Sequence, residues 1–352
     1  MNMKNVMVVF GGCSPEHDIS KESARAVMGA LGKYNVVPVY ITRAGKWLLY
    51  DGKLGSNIQG IDWERFGTPA ILSPDRVNRG LLRIVGDKVK TIPIDVALPV
   101  LHGPNGEDGT IQGLCELAGI PYVGCGVAAS SIAMDKSAAR LIAKALKIPQ
   151  ADFLFFDKSE IKADKKAVLR KIRYKLGYPC FVKPNAGGSS IGITKVSDRK
   201  ELIEALETAM TFSNRVIVEK AVEGREIEVG ILGAGHTAQA SIPGEIIADG
   251  EFYDYEAKYE KPASQTIVPT DLSDEVVEKL QAYALEIFRA IDGRGLSRVD
   301  FFVTADGKIL FNEINTVPGF TKISMYAKVW EASGISRQEL IDRLIELAVD
   351  NE

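Results

Sequence analysis

The stretch RVDFFVTADGKILFNEIN, residues 298–315, carries two acids that a hairpin would set face to face. VDFFV and ILF are β-branched and aromatic runs, and the Asp306-Gly307 pair between them predicts a two-residue type I′ turn. That turn pairs Ala305 with Lys308, so Asp300 falls opposite Glu313 and Arg298 opposite Asn315. Alternation along a strand then puts Asp300, Glu313 and Asn315 on one face with Phe302, Ile309 and Phe311. The other face, Val299, Phe301, Val303, Leu310 and Ile314, is apolar. Directly opposed like charges cost a sheet roughly 0.2 to 1 kcal/mol per pair, so something should offset them. Two carboxylates and an amide oxygen are hard ligands suited to Mg²⁺. A solvated strand face is the plainer reading, and the phenylalanines on the same face favour the metal.

Other stretches carry groups that suit phosphates, sugars and small zwitterions. In CFVKPNAGGSSIGITKV, Lys183 ends a strand beside a loop of small residues whose N–H groups can converge on an anion. The order GxxxxGK[ST] is absent, so this is not a Walker A loop. Read alone it is a glycine hairpin; the adjacent lysine and two serines turn it toward a phosphate lid. In RVIVEKAVEGREIEVG, a strand edge after VIV can hydrogen-bond an adenine and a carboxylate, Glu219 or Glu226, can accept ribose hydroxyls. A polar hairpin tip reads equally well. FGGCSPEHDIS has Ser14 as N-cap, Pro15 at the first helical position and Glu16 in the first turn. Glu16 either complements the helix dipole or, displayed beyond the first strand of an open sheet, holds a substrate ammonium. His102 in LHGPNGEDGTIQG is a cap, a core residue or a site-lining one. In NTVPGFTKISMY, Gly319 can offer its N–H to an oxyanion, and Ser324 opens a helix N-terminus suited to a carboxylate. FYDYEAKY, residues 252–259, is a candidate lid. VGCGVAAS matches GxGxxA formally, but late in its unit and without the ribose-binding acid, so it reads as a turn.

These groups need a scaffold, and 352 residues exceed what one core usually serves. The first third alternates strand and helix as an open α/β sheet: NVMVVFGG, SKESARAVMGAL, VVPVYIT, a hairpin around GKWLLYDGK, IDVALPVLHG and DGTIQGLCELAG. DKSAARLIAKALKI is a helix, followed by the strands CFVKP, IGITKV and RVIVEK around a helix DRKELIEALETAM. Longer strands REIEVGILG and TAQASIPGEII, the helix SDEVVEKLQAYALEIFRAI, the acidic hairpin and a last helix RQELIDRLIELAV complete the chain. Three units are expected, 1–124, 125–220 and 221–352. A hydrophobic share of 46%, a charged share of 25% and a net charge of −3 describe an ordinary globular protein with no nucleic-acid surface. No run reaches the length of a membrane span, and NVMVVFGG reads as a first strand, not a signal peptide. Cys13, Cys115, Cys125 and Cys180 lack CxxC spacing and are expected as reduced cytoplasmic thiols. His17, His102 and His236 lie far apart in sequence, which argues against zinc.

Taken in order, FGGCSPEHDIS, LHGPNGEDGTIQG, MDK, FVKPNAGGSSIGITKV, VEKAVEGREIEVG, FYDYEAKY, RVDFF, FNEINTVPGFT and SMYAKVWE resemble the D-alanyl-D-alanine ligase family of the ATP-grasp superfamily. The resemblance spans residues 10 to about 331. It implies an α/β (α+β) chain: an N-terminal open α/β, Rossmann-like domain followed by a two-subdomain ATP-grasp fold. ATP would lie between the second and third units, and the amino acids between the first and third. By this resemblance Lys136, Lys183 and Lys258 would contact phosphates, and Glu219 and Glu226 the adenine and ribose. Ser190, Lys220 and Asn312 would complete the ATP site. Asp300, Glu313 and Asn315 would hold Mg²⁺ or Mn²⁺, two ions in all. Glu16 would bind the first D-alanine's ammonium, with His102 nearby, and join Ser189 and Tyr259 in a latch closing the lid. Arg298 and the Gly319 N–H would hold the oxyanion, and Ser324 with the Met325 backbone the second carboxylate.

The implied activity is ATP-dependent joining of two D-alanines through a D-alanyl phosphate, for peptidoglycan precursors, by a cytoplasmic homodimer acting on small molecules. Two features bear on the second substrate: Ala327 stands where the family commonly has proline after SMY, and CSPEHDIS is similar to resistance-type relatives. EAKY and Met325 look like the D-alanine type. A ligase using D-serine or D-lactate is therefore the alternative within the enzyme class. A nucleotide-binding regulatory module is the alternative outside it, disfavoured by the intact Arg298, Asp300, Glu313 and Asn315.

Overall fold

The computed structural model describes residues 3–52, 54, 58–247, 265–321 and 324–350. Three sheets carry the chain. The first runs β1 (Asn5–Gly11), β2 (Asn35–Ile41), β3 (Trp47–Tyr50), β4 (Gly67–Leu72), β5 (Gly80–Val85), β6 (Lys88–Pro93) and β7 (Val96–Pro99), in the order β6-β5-β4-β3-β2-β1-β7. β1 pairs in parallel with β2 and β7. It is buried on both faces from Val6 onward, which is why its sequence is continuously apolar. The strands β3 to β6 form an antiparallel meander. Only its first hairpin was expected. The last, where Val85 pairs with Lys88 across Gly86-Asp87, carries a two-residue glycine turn signal in the sequence.

The helix after β1 corrects one expectation. It spans His17–Gly29 with Glu16, not Ser14, at the cap position. The Ser14 hydroxyl accepts the Glu16 N–H at 3.1 Å and its carbonyl accepts the His17 N–H at 3.1 Å, so Ser14 and Pro15 form a turn ahead of the helix. The Glu16 side chain makes no capping bond. The stretch 124–129, expected as a turn, is one only to Gly126, after which a helix runs Val127–Met134.

The second sheet holds β8 (Phe153–Asp157), β9 (Cys180–Pro184), β10 (Thr194–Val196) and β11 (Arg215–Lys220), ordered β10-β9-β11-β8. The helices Lys165–Lys175 and Arg199–Phe212 bury Val168, Ile172, Leu202 and Leu206 against Val182, Val216 and Val218. β11 is thus an inner strand, and the Lys220 and Ala221 N–H groups donate to the Asp152 and Pro179 carbonyls. The strand edge expected after VIV is not there.

The third sheet contains β12 (Arg225–Ala234), β13 (Gln239–Ala240), β14 (Gly244–Ile247), β15 (Gln265–Ile267), β16 (Arg294–Val303) and β17 (Ile309–Asn315). Its path is β15-β14-β12-β16-β17, with β13 on β12. Helices Val127–Met134, Lys136–Ala145 and Asp274–Ala290 cover its apolar face, sharing one core with Ile227, Val299, Phe301 and Phe311. Residues 127–145 therefore pack with the third sheet. The last helices, Met325–Ala332 and Arg337–Val349, join the core of the first sheet. Among the described residues no helix is long and apolar enough to cross a membrane.

The β16–β17 hairpin reaches the expected register by another route. Thr304 and Lys308 close a three-residue loop, with left-handed backbone at Gly307 (φ 77°). This shifts the pairing by one, so Val303 faces Ile309 and Phe301 faces Phe311. A bulge that leaves Asn312 without a cross-strand partner shifts it back, and Asp300 faces Glu313 as anticipated. The faces change accordingly. Ile309 and Phe311 lie in the core with Ile314, not beside the acids. Phe311 is 1% exposed and its ring meets Phe301 edge-on at 6.2 Å. Phe311→Ala is expected to lower the unfolding free energy by about 3 to 5 kcal/mol. Urea titration of the two chains checks it, and an unchanged midpoint would mean that this ring does not anchor the hairpin.

Candidate active site

Two cavities open between the sheets and share Glu313 as a lining residue. The smaller, about 160 Å³, is lined by Glu16 from the end of the first sheet, Ser189 from the second, and Arg298, Gly319 and Ser324 from the third sheet and its sequel. The larger, about 780 Å³, lies between the second and third sheets and is lined by Lys183, Glu219, Glu226 and Asn312. Its volume is within the ~300 to 1,000 Å³ common for small-molecule and nucleotide sites.

At the junction stands a row of acids. Glu228 on β12 faces Asp300 on β16, which faces Glu313 on β17. Glu228 was not among the residues expected here, although Glu226 and Glu228 share a strand face in REIEV by simple alternation. The row is balanced by two cations. Arg298 Nε and Nη2 bind the two Asp300 oxygens at 2.8 and 2.7 Å, and Nε also lies 3.1 Å from Glu228 Oε2. Lys136 Nζ is 3.6 Å from Glu313 Oε2 and donates to the Gly187 carbonyl at 2.8 Å. The opposed acids are therefore not left to a bound ion alone, as the bare hairpin suggested. Burial works against the Arg298 charge, but Asp300 and Glu228 outweigh it and hold the guanidinium far above its usual range.

The same row fits a divalent cation. Asp300, Glu313 and Asn315 offer two carboxylates and an amide, all hard oxygens. Each Asp300 oxygen on Arg298 keeps a lone pair, as does Asn315 Oδ1, which accepts the Val317 N–H at 2.9 Å. Among the described residues no three His, Cys, Asp or Glu side chains converge on one point, so the amide belongs to any such donor set.

Glu16 is buried, and the Ser189 hydroxyl donates to its Oε1. Its carboxylate lies in a cradle of two glycines. A Cβ on Gly103 would come within 2.4 Å of Glu16 Oε2, and one on Gly188 within 2.7 Å. The loop that delivers Ser189 is held in left-handed backbone at Ser189 (φ 48°) and Ser190 (φ 57°), which is uncommon for serine. His102 lines the same cavity, with Nε2 3.0 Å from Ser23 Oγ and Nδ1 3.4 Å from Glu107 Oε1. Burial alone would lower its pKa; the Glu107 carboxylate outweighs that and raises it.

Ser324 caps the helix Met325–Ala332, and its hydroxyl shares a 2.8 Å hydrogen bond with Thr321. A Cβ on Gly319 would lie 2.9 Å from Ser324 Oγ. Met325 is buried at the start of the helix. In the larger cavity, Lys183 Nζ is 2.7 Å from Glu219 Oε2, and Arg140 Nε is 2.7 Å from Glu219 Oε1. Arg140 was not anticipated; a charge in the run SAARLIAKA gives no sign of facing a site. Lys220 is exposed at the rim, and Ser190 also lines this cavity. Lys258 and Tyr259 lie outside the described residues.

Comparison with known proteins agrees with this arrangement. Residues 5–125 match the family model described as "D-ala D-ala ligase N-terminus" and residues 142–346 that of "D-ala D-ala ligase C-terminus". The chain is 47% identical to the D-alanine--D-alanine ligase of Caldicellulosiruptor bescii, over 99% of this chain and 96% of that one. It is 48% identical to that of Acetivibrio thermocellus, over 98% and 96%. Among solved structures, the VanG D-Ala:D-Ser ligase from Enterococcus faecalis superposes with a TM-score of 0.89 at 37% identity, covering 99% of this chain and 100% of the other. The D-alanine-D-alanine ligase from Coxiella burnetii gives 0.84 at 33%, covering 100% and 95%. With both halves matched and relatives this similar over nearly its whole length, the chain belongs to the D-ala D-ala ligase family.

Proposed function

We infer that this chain joins two D-alanines into D-alanyl-D-alanine at the expense of ATP, supplying peptidoglycan precursor synthesis as a cytoplasmic homodimer. The observation that carries the reading is the meeting of a small polar chamber and a nucleotide-sized cleft at Glu313. A carboxylate is a poor electrophile, and a γ-phosphate delivered at that junction converts it to an acyl phosphate, releasing ADP. The second D-alanine's amine then attacks the carbonyl, and the tetrahedral intermediate expels phosphate.

Each group has a part in this. Glu16, held by Ser189 and near His102, receives the ammonium of the first D-alanine. Arg298 and the Gly319 N–H face the oxyanion, and donors fixed in advance cost no reorganisation as charge develops. Ser324 and the Met325 N–H hold the second carboxylate at a helix N-terminus. Lys136, Lys183 and Ser190 meet the phosphates, with Lys258 added from the stretch 252–259. Glu226 takes the ribose, and Glu219, Lys220 and Asn312 frame the adenine side. Since β11 is an inner strand, backbone recognition of the base falls to its carbonyls or to residue 222 onward. Asp300, Glu313 and Asn315 would hold Mg²⁺ or Mn²⁺, two ions, which when bound neutralise phosphate charge. Tyr259 would close the chamber over Glu16 and Ser189, because water destroys an acyl phosphate.

A second reading, D-serine as the second substrate, is favoured by one observation, the likeness to the VanG D-Ala:D-Ser ligase. Incubation with ATP, Mg²⁺, D-alanine, D-serine and D-lactate, followed by mass analysis, is expected to give chiefly D-alanyl-D-alanine. D-alanyl-D-serine as the main product would transfer the assignment to the second reading. Arg298→Lys keeps a cation between Glu228 and Asp300 but loses the planar fork. Turnover should fall about 10²- to 10³-fold, as when one oxyanion donor is removed, with ATP affinity little changed. Steady-state rates beside nucleotide titration check this, and undiminished turnover would take Arg298 out of the oxyanion site.

A further inference from the structure

Arg140 is only 2% exposed, on a helix face whose neighbours Ala139 and Ala143 lie in the apolar core. A buried arginine needs a partner, and the one beside it is Glu219. Arg140 Nε is 2.7 Å from Glu219 Oε1, an ionic contact whose N–H is not aimed at the oxygen. Nη1 lies 3.4 Å from the Phe311 carbonyl and Nη2 3.5 Å from Asn312 Oδ1, on the bulge of β17. One guanidinium thus spans the floor of the larger cavity from the second sheet to the third. The other oxygen of Glu219 is 2.7 Å from Lys183 Nζ, so one carboxylate has two cations.

These two cations differ in freedom. Arg140 is fixed by contacts on four sides, including Gln150 and the Phe153 ring. Lys183 is a point charge on a flexible stem and lines the cavity where a triphosphate would lie. If Lys183 were the sole counter-ion of Glu219, drawing it to a phosphate would strand a buried carboxylate, a costly outcome. With Arg140 in place the carboxylate stays compensated. Arg140 also dominates the charges that hold Glu219 ionised against its burial, ahead of Lys183.

We propose that Arg140 is a positioning residue for the nucleotide: it holds the charge of Glu219 so that Lys183 can leave that carboxylate for a phosphate oxygen. This rests on the ATP-dependent reading above. It touches no reacting atom, and its effect is felt through Lys183 alone.

The test is a set of titrations of ADP and of adenosine into the full chain, as wild type, Arg140→Met, Arg140→Lys, Glu219→Gln and Arg140→Met/Glu219→Gln. Arg140→Met is expected to weaken ADP at least tenfold while adenosine changes less than twofold, because only the phosphates compete for Lys183. Arg140→Lys should recover part of the loss. In the double variant no carboxylate holds Lys183, so its preference for ADP over adenosine should return to that of Glu219→Gln alone. If Arg140→Met does not fold, the double variant and Arg140→Lys carry the comparison. Equal losses for ADP and adenosine, or a double variant as poor for ADP as Arg140→Met, would show a merely structural role. A wild type that binds neither compound would refute the ATP-dependent reading itself, whereas ADP binding indifferent to every substitution would refute only the part given to Arg140.

Discussion

Three carboxylates in register on adjacent strands, Glu228, Asp300 and Glu313, are the constraint around which the rest of this structure is arranged. Two like charges about 5 Å apart repel by about 3 kcal/mol at an effective dielectric of ~20. Such a row survives only if cations lie within it and the sheet is anchored behind it. Arg298, two residues from Asp300 on the same strand face, supplies one cation, and Lys136, entering from a helix on the opposite side of the sheet's edge, supplies another. The anchor is the apolar back of the sheet, where Val299, Phe301, Phe311 and Ile314 share a core with Phe288 and Leu280. The acids are thereby fixed in place before any ligand arrives.

The bulge at Asn312 follows from the same requirement. It lets Phe311 and Ile314 both enter the core while Asn312 and Glu313, adjacent in sequence, face the cavities. A regular strand would have sent one of that pair inward. The extra residue also gives Arg140 an oxygen to approach on the third sheet. The hinge of function, where the small chamber meets the large one, thus lies on an irregularity of the ladder. The opposite wall is built differently. Glu16 reaches the chamber because Gly103 and Gly188 leave room for its carboxylate, and because its helix starts two residues later than the sequence suggested, freeing the side chain from a capping bond.

How far the sequence exposed this depends on the range of the interaction involved. Strand and helix types, the opposition of Asp300 to Glu313 and the parallel start of the first sheet were legible because they rest on local patterns. The hairpin was right in register for a wrong reason: a three-residue loop and a bulge cancel, and a sequence shows neither when alternation is assumed throughout. Placing Ile309 and Phe311 on the acid face was the consequence. The inner position of β11 could not be read, since its neighbours are set by β8 and β9 from elsewhere in the chain. The meander β4 to β6 was legible in part, through its Gly86-Asp87 turn, and was passed over. Glu228 could have been found from the alternation of REIEV. Arg140 could not, because its partners Glu219 and Phe311 lie far along the chain and on two different sheets.

The alanine at position 327, where relatives commonly carry proline, can be judged by the helix it occupies. Ala327 is the third residue of the helix Met325–Ala332, and Ser324 is its cap. The first N–H groups of a helix have no partner within it, so proline is tolerated in that turn and removes a donor. Alanine retains the donor at the N-terminus whose dipole already favours an anion. It gives up the fixed backbone angle that proline imposes, but Ala327 is buried and the helix is held on both sides by Tyr326 and Trp330, whose rings pack against each other at 6.4 Å. The Tyr326 hydroxyl further ties the helix to β12 by donating to the Ile231 carbonyl at 2.9 Å. Rigidity supplied elsewhere by a ring closure is thus supplied here by packing, and the end of the helix facing the chamber gains a hydrogen-bond donor. A carboxylate is the ligand such an end suits, whichever small D-amino acid carries it.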